Sequence, residues 1–146
     1  MTTTPPRNIT TLSGNGLREL QVDECLDLLA QSSIARIAWC GADGPRIVPV
    51  TIALHDGAVV FRTMAYSALA GAARGSTLAV EVDGFDLATR TGWSVVAVGS
   101  ADTVADPAEL VELWRQDGPE PWAPGVRTLF VRVVPHRITG RRIAHR

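Results

Sequence analysis

Short apolar segments joined by tight turns are the feature that most constrains the fold of this chain. From Ile34 onward the apolar residues alternate with a period of two, as in β-strands that bury one face. Turns rich in glycine and aspartate at 41–44 and 55–57 join the first three segments, and turns this short favour antiparallel pairing. We predict strands at 34–40, 46–54, 58–63, 78–83, 93–104 and 128–138. Six strands with few helices indicate a mainly β protein, a closed or partly closed antiparallel barrel.

Glycine and proline residues mark irregular places in these strands. Pro49 lies inside the second strand, and because proline cannot donate to a ladder it indicates an edge, a bulge or a break there. Gly99 lies in the middle of the fifth strand, which is typical of bent barrel strands. Asp83 and Asp86 flank Gly84 and are interpreted as turn residues.

Helical patterns occur in three places. Between Val22 and Leu29, apolar residues recur at i, i+3, i+4 and i+7, which predicts an amphipathic helix. Residues 67–73 are predicted to form a short helix. The capping box at 106–109, with proline at the first helical position, predicts a helix through Trp114.

Length and hydropathy predict one domain without a membrane anchor. We expect residues 1–15 to be a flexible N-terminus and residues 16–146 to be a single domain. The first eleven residues lack the apolar stretch of a signal peptide, and no apolar run reaches the ~18 residues that span a bilayer. The chain is therefore expected to be cytoplasmic, with no membrane partner.

The net charge and the kinds of basic residue limit which partners and which catalytic groups this chain can have. The net charge of −1 gives no attraction to nucleic acid, which is not expected as a partner. All 14 basic residues are arginine, so a catalytic lysine Schiff base is excluded. Any anion must be held by arginine, hydroxyl or backbone N–H groups.

No catalytic or metal-binding motif is evident. Cys25 and Cys40 are expected to be buried, apolar side chains, and the three histidines have no zinc-site spacing, so no metal site is predicted. There is no serine or cysteine nucleophile pattern and no glycine-rich phosphate loop.

Four segments together resemble the actinobacterial branch of the pyridoxamine 5′-phosphate oxidase-like family. The segments are 46–50, 56–63, 81–86 with 92–95, and 138–142, and the likeness extends from about residue 20 to about residue 143. The resemblance implies a six-stranded split barrel that forms a homodimer, with a small-molecule cofactor at the dimer interface. Flavin mononucleotide (FMN) is the usual cofactor of this family, while some members use a deazaflavin coenzyme, some bind haem and some have no known ligand.

The resemblance also implies which residues bind the cofactor. A segment of the second strand would line the flavin ring through its backbone and its valines. The end of the third strand and the start of the short helix would meet the phosphate through guanidinium and hydroxyl groups. The resulting candidate residues are Arg46, Ile47, Val48, Pro49, Val50, Thr51, Arg62, Thr63, Ser67 and Trp93. The loop around Trp122 would lie near the site.

The chain departs from the family at the phosphate site. Relatives commonly carry a phosphate-binding lysine where this chain has Ala68, and a glycine where it has Tyr66. One expected cation is therefore absent. Without a ligand, Arg62 would be a surface residue, and Thr63 and Ser67 would be a strand end and a helix cap.

These features lead to a flavin- or deazaflavin-dependent oxidoreductase of unknown substrate as the first hypothesis. No side chain is a convincing general acid or base, which suits hydride transfer by a cofactor. Pyridoxamine-phosphate oxidase activity itself is not expected, because the chain is short and lacks a recognisable basic substrate clamp at its C-terminus. The alternatives are a non-catalytic protein that binds or senses flavin or haem, and a cofactor-free dimeric scaffold.

Overall fold

Six antiparallel strands form a closed ring, with a seventh strand at its edge. The computed structural model describes residues 15–145, so the expected flexible N-terminus, 1–15, lies outside the described residues apart from Asn15. The strands are β1 Asn15–Glu19, β2 Ile34–Gly41, β3 Gly44–His55, β4 Ala58–Thr63, β5 Thr77–Asp86, β6 Thr91–Thr103 and β7 Leu129–His145. The helices are α1 Val22–Gln31, α2 Ala68–Ala72 and α3 Pro107–Glu112, and a π-helical turn, Leu113–Asp117, continues α3.

The order of strands around the ring is β7-β4-β3-β2-β5-β6, and β6 pairs again with β7. All pairs are antiparallel, which confirms the predicted barrel. β7 is long enough to pair with β6 along most of its length and with β4 near its start. β1 pairs with the far end of β7, from Glu19↔Arg141 to Asn15↔His145.

Alternate residues of the strands fill the barrel. The alternation seen in the sequence of β5 is confirmed, because Leu78, Val80 and Val82 are buried. Helix α1 contributes Cys25 and Leu29 to the same core. The other fully buried residues of this core include Ala35, Ile37, Val59, Phe61, Ala73, Val95, Ala97, Val131 and Val133.

A bulge in the β6–β7 pair confirms the expected irregularity at Gly99. Val98 pairs with Arg137 but Gly99 pairs with Pro135, so β7 contains one extra residue there. A Cβ atom at Gly99 would lie 2.0 Å from the carbonyl oxygen of Val134, so no other residue fits without moving β7.

A smaller core lies outside the barrel, where α3 and the π-helical turn pack on β4 and β7. It consists of Val60, Val104, Leu113 and Phe130. The cap predicted at Asp106 is present, since its side chain accepts a hydrogen bond from the Glu109 N–H. This cluster places Trp114 beside the end of β4.

Some sequence-based expectations were wrong. β1 was not predicted, because it is a short, largely exposed edge strand held by backbone pairing. Cys40 is exposed, whereas Cys25 is buried as expected. Asp83 and Gly84 continue β5 rather than turning, and the turn follows Asp86, whose carboxylate accepts hydrogen bonds from the N–H groups of Ala88 and Thr89. Within residues 15–145, no helix has the length and apolar character needed to cross a membrane.

Candidate functional site

A cleft opens where β3 and β4 separate. The two strands pair only from Ile52↔Phe61 to His55↔Ala58, while residues 44–51 of β3 pair with β2 alone. The resulting space, the β3–β4 cleft, has a volume of about 460 Å³. Its lining consists of Ile34, Val48, Pro49, Val50, Thr51, Arg62, Thr63, Leu69, Pro121, Trp122, Ala123 and Arg127.

The wall formed by β3 is apolar. Val48 and Val50 are half-buried, and Pro49 between them is exposed. Because proline has no N–H to donate, it is tolerated in a stretch of strand that has a neighbour on one side only. The irregularity expected at Pro49 therefore coincides with the split between β3 and β4. Such a wall can contact the face of a flat organic ring.

Arg62, the residue before the last one of β4, lies on the opposite side of the cleft, and three neighbouring groups hold its side chain. Its guanidinium carbon lies 4.3 Å from the centre of the Trp114 ring and 5.5 Å from that of Phe130. Its Nε donates a 2.9 Å hydrogen bond to the carbonyl oxygen of Arg127. Its terminal nitrogens make no hydrogen bond or ion pair with any group that the structure describes. Arg62 therefore presents an oriented, unpaired cation to the cleft.

Thr63 links the cleft to the start of α2. Its side chain is buried, and its Oγ1 lies 2.9 Å from the Oγ of Ser67. Ser67 also donates to the Met64 carbonyl and accepts from the Ala70 N–H, so it is the N-cap of α2. Ser67 does not line the cleft, but it fixes the hydroxyl of Thr63, which does.

The loop before β7 closes the cleft, and hydrogen bonds hold both of its ends. Thr51 Oγ1 on β3 donates to the Glu120 carbonyl at 2.9 Å, and Arg62 on β4 donates to the Arg127 carbonyl. Between these points lies Trp122, which lines the cleft and is 77% exposed. The loop is thereby fixed to both walls, with an aromatic side chain between them.

Six of the ten residues implied by the resemblance come together in this cleft. They are Val48, Pro49, Val50, Thr51, Arg62 and Thr63. Ile47 is 64% exposed and is not part of the lining, and Trp93 packs against Gly84 and the barrel core, outside the cleft. Arg46 lines a separate cavity of about 310 Å³ that also contains Ala68 and Cys40.

Sequence reasoning missed part of the lining, most importantly Arg127. Its position in a Pro- and Gly-rich stretch gave no sign of which strand it would approach. The available signal was its place two residues before β7, because the Thr63↔Leu129 pair brings that point of the chain to the end of β4. This position could be related to the cleft only once the pairing of β4 with β7 was known.

The composition of the lining limits its chemistry. Among the lining residues that the structure describes, Arg62 and Arg127 are the only charged ones, and none is Asp, Glu, His, Cys or Tyr. The cleft therefore offers an apolar surface and two guanidinium groups, but no group suited to general acid or base catalysis near neutral pH. Reaction chemistry would have to come from a bound cofactor.

Other charged clusters lie outside the cleft. Arg132 donates a hydrogen bond to Glu109, and this bond raises the pKa of the Arg132 guanidinium above its ordinary value. Burial, followed by the neighbouring Asp83, raises the pKa of Glu81. No group of three or more His, Cys, Asp or Glu residues in the part of the chain that the structure describes is arranged to hold a metal ion.

Residues 21–142 match a family profile described as pyridoxamine 5′-phosphate oxidase. The uncharacterized protein Rv0080 of Mycobacterium tuberculosis is 35% identical over 130 residues, which cover 86% of this chain and 84% of that protein. The FAD binding protein from Mycobacterium smegmatis is 35% identical with a TM-score of 0.72, over 85% of this chain and 96% of that one. A conserved protein of unknown function from Corynebacterium diphtheriae is 30% identical, with a TM-score of 0.72 over 88% and 98% of the two chains.

The matched region runs from the residue before α1 nearly to the end of β7 and includes every wall of the β3–β4 cleft. Sequence, strand order and fold therefore agree, and the chain belongs to the pyridoxamine 5′-phosphate oxidase family.

Proposed function

We propose that this chain is a flavin-dependent oxidoreductase that holds FMN in the β3–β4 cleft. The observation that carries the proposal is the lining, in which the apolar wall of β3 and two guanidinium groups share one cleft without a carboxylate. A flavin phosphate combines a flat ring with an anion and suits such a lining. The 35% identical relative described as FAD binding supports a flavin as the cofactor.

Each wall has a distinct part in this proposal. Val48 and Val50 contact the ring, and backbone N–H and C=O groups of β3 hydrogen-bond its polar edge. Arg62 and Thr63 hold the phosphate, and Trp122 shields the ring from water. The flavin supplies hydride transfer when bound, and the protein supplies orientation and exclusion of water.

Two other cofactors of this family also combine a flat ring with an anionic group. A deazaflavin coenzyme also joins a flat ring to a phosphate, and haem is a larger flat ring with carboxylates. We propose FMN ahead of the deazaflavin, and both ahead of haem. A comparison of the affinities for FMN, FAD and the deazaflavin coenzyme decides among the phosphorylated ligands.

A non-catalytic role is the second candidate. The observation that favours it is the absence from the lining of any side chain that could exchange a proton with a substrate near neutral pH. In that case the chain would store or sense the flavin. A cofactor-free scaffold is the remaining alternative, and it predicts no flavin binding.

We also propose that the protein is a homodimer whose interface lies beside the cleft. Ile34, Ile47 and Trp122 are 36%, 64% and 77% exposed, and a second copy would cover such apolar surface. Arg46 and Trp93, which lie outside the cleft of one chain, are candidate contacts of a site completed by the second chain. Light scattering should give a mass of about twice 15.6 kDa. Two free thiols suit a cytoplasmic location.

Reconstitution with FMN tests the proposal. The purified protein is mixed with FMN, freed of unbound flavin by gel filtration, and its visible spectrum is recorded. Val50→Glu places a carboxylate in the cleft, and Val111→Glu places one on an exposed site of α3, outside the lining. We expect retained flavin in the wild type and in Val111→Glu, and none in Val50→Glu, with thermal melts showing that both variants are folded.

Turnover separates the two flavin-binding functions. Anaerobic addition of NADH, NADPH or a reduced deazaflavin should bleach the bound flavin if the protein is an oxidoreductase. Retained flavin that none of these donors reduces favours the storage or sensing role. A wild-type protein that retains no flavin contradicts both.

A further inference from the structure

We infer that Arg127 is a second anion-binding residue of the β3–β4 cleft, and that it acts with Arg62 to select ligands that carry a phosphate. This inference rests on the proposed function, since it names the groups that recognise the anionic end of the cofactor. It concerns a residue that no sequence motif indicated.

Arg127 is held in place through its backbone, which leaves its side chain free. Its carbonyl oxygen accepts the Nε hydrogen bond of Arg62, and its half-buried side chain lines the cleft. Its guanidinium makes no hydrogen bond or ion pair with any group that the structure describes. The backbone of Arg127 is therefore held in place, while its guanidinium remains available to a ligand.

Three of the other arginines in the described chain pair with carboxylates: Arg18 with Glu24, Arg36 with Glu81 and Asp83, and Arg132 with Glu109. The two cleft arginines have no carboxylate partner, although both are half-buried. A half-buried guanidinium without a partner is costly, and two in one cleft also repel each other.

An anion bound between the two groups relieves both effects. Phosphate oxygens accept paired hydrogen bonds from the planar guanidinium fork, and a phosphate monoester carries close to two negative charges at neutral pH. Two guanidiniums therefore match a phosphate better than a carboxylate, which carries one charge. The apolar wall of β3, opposite the two guanidinium groups, suits a flat ring at the other end of the same ligand.

The hydrogen bond between the two residues couples their positions. Trp114 and Phe130 fix the Arg62 side chain, and Arg62 in turn fixes the Arg127 backbone. Arg62 is therefore both a ligand-binding and a positioning residue, whereas removal of the Arg127 side chain leaves that hydrogen bond intact.

Fluorescence titrations with FMN and riboflavin test the inference, because only the phosphate distinguishes these ligands. Arg127→Gln should weaken FMN binding about ten-fold, as expected for one charged hydrogen-bonding group, and should change riboflavin binding less than about two-fold. Arg127→Lys keeps the charge but loses the fork, so its FMN affinity should lie between the two. Arg74→Gln, an exposed arginine outside the cleft lining, is the control and should match the wild type.

Thermal melts with inorganic pyrophosphate give a second reading that needs no flavin. At matched ionic strength, pyrophosphate should raise the melting temperature of the wild type and of Arg74→Gln more than that of Arg127→Gln. The inference is overturned if Arg127→Gln weakens FMN and riboflavin equally, or if it affects neither. If the wild type binds no flavin, the proposed function fails, and the pyrophosphate melts alone then support or overturn the anion site.

Discussion

Two cavities of nearly equal volume differ in whether their charged side chains are paired with one another. The β3–β4 cleft, about 460 Å³, contains two arginines and no acid, and the second, which we call the acidic cavity, is about 480 Å³ and contains His55, Asp56, Asp106, Glu109, Glu112 and Arg132. In the acidic cavity Arg132 is paired with Glu109, and His55 Nε2 lies 3.4 Å from a carboxylate oxygen of Asp56. Charges that are paired within the protein stabilise the fold, whereas charges left unpaired are free for a ligand.

The largest expected effect comes from a substitution at Phe130, which supports Arg62 beneath the cleft. Phe130→Ala leaves a cavity between the smaller core outside the barrel and Arg62. It should lower the free energy of unfolding by about 3–5 kcal/mol. FMN binding should weaken as well, because Arg62 loses one of its two aromatic contacts. Urea denaturation followed by tryptophan fluorescence measures the stability. Val126→Ala, at an exposed site, should change stability by less than about 0.5 kcal/mol.

The comparison is sharpened by removal of one arginine from each cavity. Arg132→Met leaves Glu109 half-buried without its partner and should cost about 1–3 kcal/mol. Arg127→Met breaks no bond within the described chain and removes a half-buried charge without a partner, so this variant should be at least as stable as the wild type. The same urea denaturation measures both. Equal losses in the two variants would mean that Arg127 is a structural residue and that the contrast between the cavities is wrong.

A lysine at position 68 distinguishes two possible positions for the phosphate. The resemblance implied a phosphate-binding lysine there, but Ala68 lines the cavity that contains Arg46 rather than the β3–β4 cleft. We expect Ala68→Lys to change FMN affinity less than about two-fold, because the added charge lies outside the cleft. Tightening of five-fold or more in the FMN titration, with riboflavin unchanged, would instead place the anion beside α2.

The smallest expected effect is a pH dependence of stability that arises from Glu81, in a cluster where two carboxylates share one arginine. Arg36 pairs with two carboxylates, and burial and the nearby Asp83 raise the pKa of Glu81 above its ordinary value. A raised pKa in the folded state means that the contribution of Glu81 to stability is present at low pH and is lost as the pH rises through the folded pKa. Glu81→Gln should therefore raise the melting temperature slightly at pH 7 relative to the wild type.

That gain should disappear near the ordinary pKa of glutamate, where the wild-type side chain is protonated. Melting curves of both proteins at the two pH values measure the difference. A variant that is less stable than the wild type at pH 7 would show that the ion pair with Arg36 outweighs the cost of burying the charge.

The sequence predicted what depends on local pattern and missed what depends on distant contacts. Alternation and tight turns located the six strands of the ring, and the resemblance to the family pointed to Val48 and Arg62, which lie on neighbouring strands. The resemblance also placed the loop around Trp122 near the site, and Trp122 lines the cleft. The position of Arg127 was missed, because it depends on a hydrogen bond between its carbonyl oxygen and Arg62, far away in the sequence. Such bonds become predictable only after the strand pairing is known.

Exposed elements were missed for a related reason. β1 has no buried alternating face and is held by backbone hydrogen bonds to β7, so its side chains carried no signal. Cys40 ends an apolar run but lies next to a turn, where the burial pattern of β2 has already ended.

A crystal structure of the protein with bound FMN would show which residues hold the phosphate. We expect electron density for the ring against Val48 and Val50, with phosphate oxygens about 3 Å from guanidinium nitrogens of Arg62 and Arg127. Density for the phosphate beside Arg46 and Ala68, with Arg127 turned away from the ligand, would contradict this expectation.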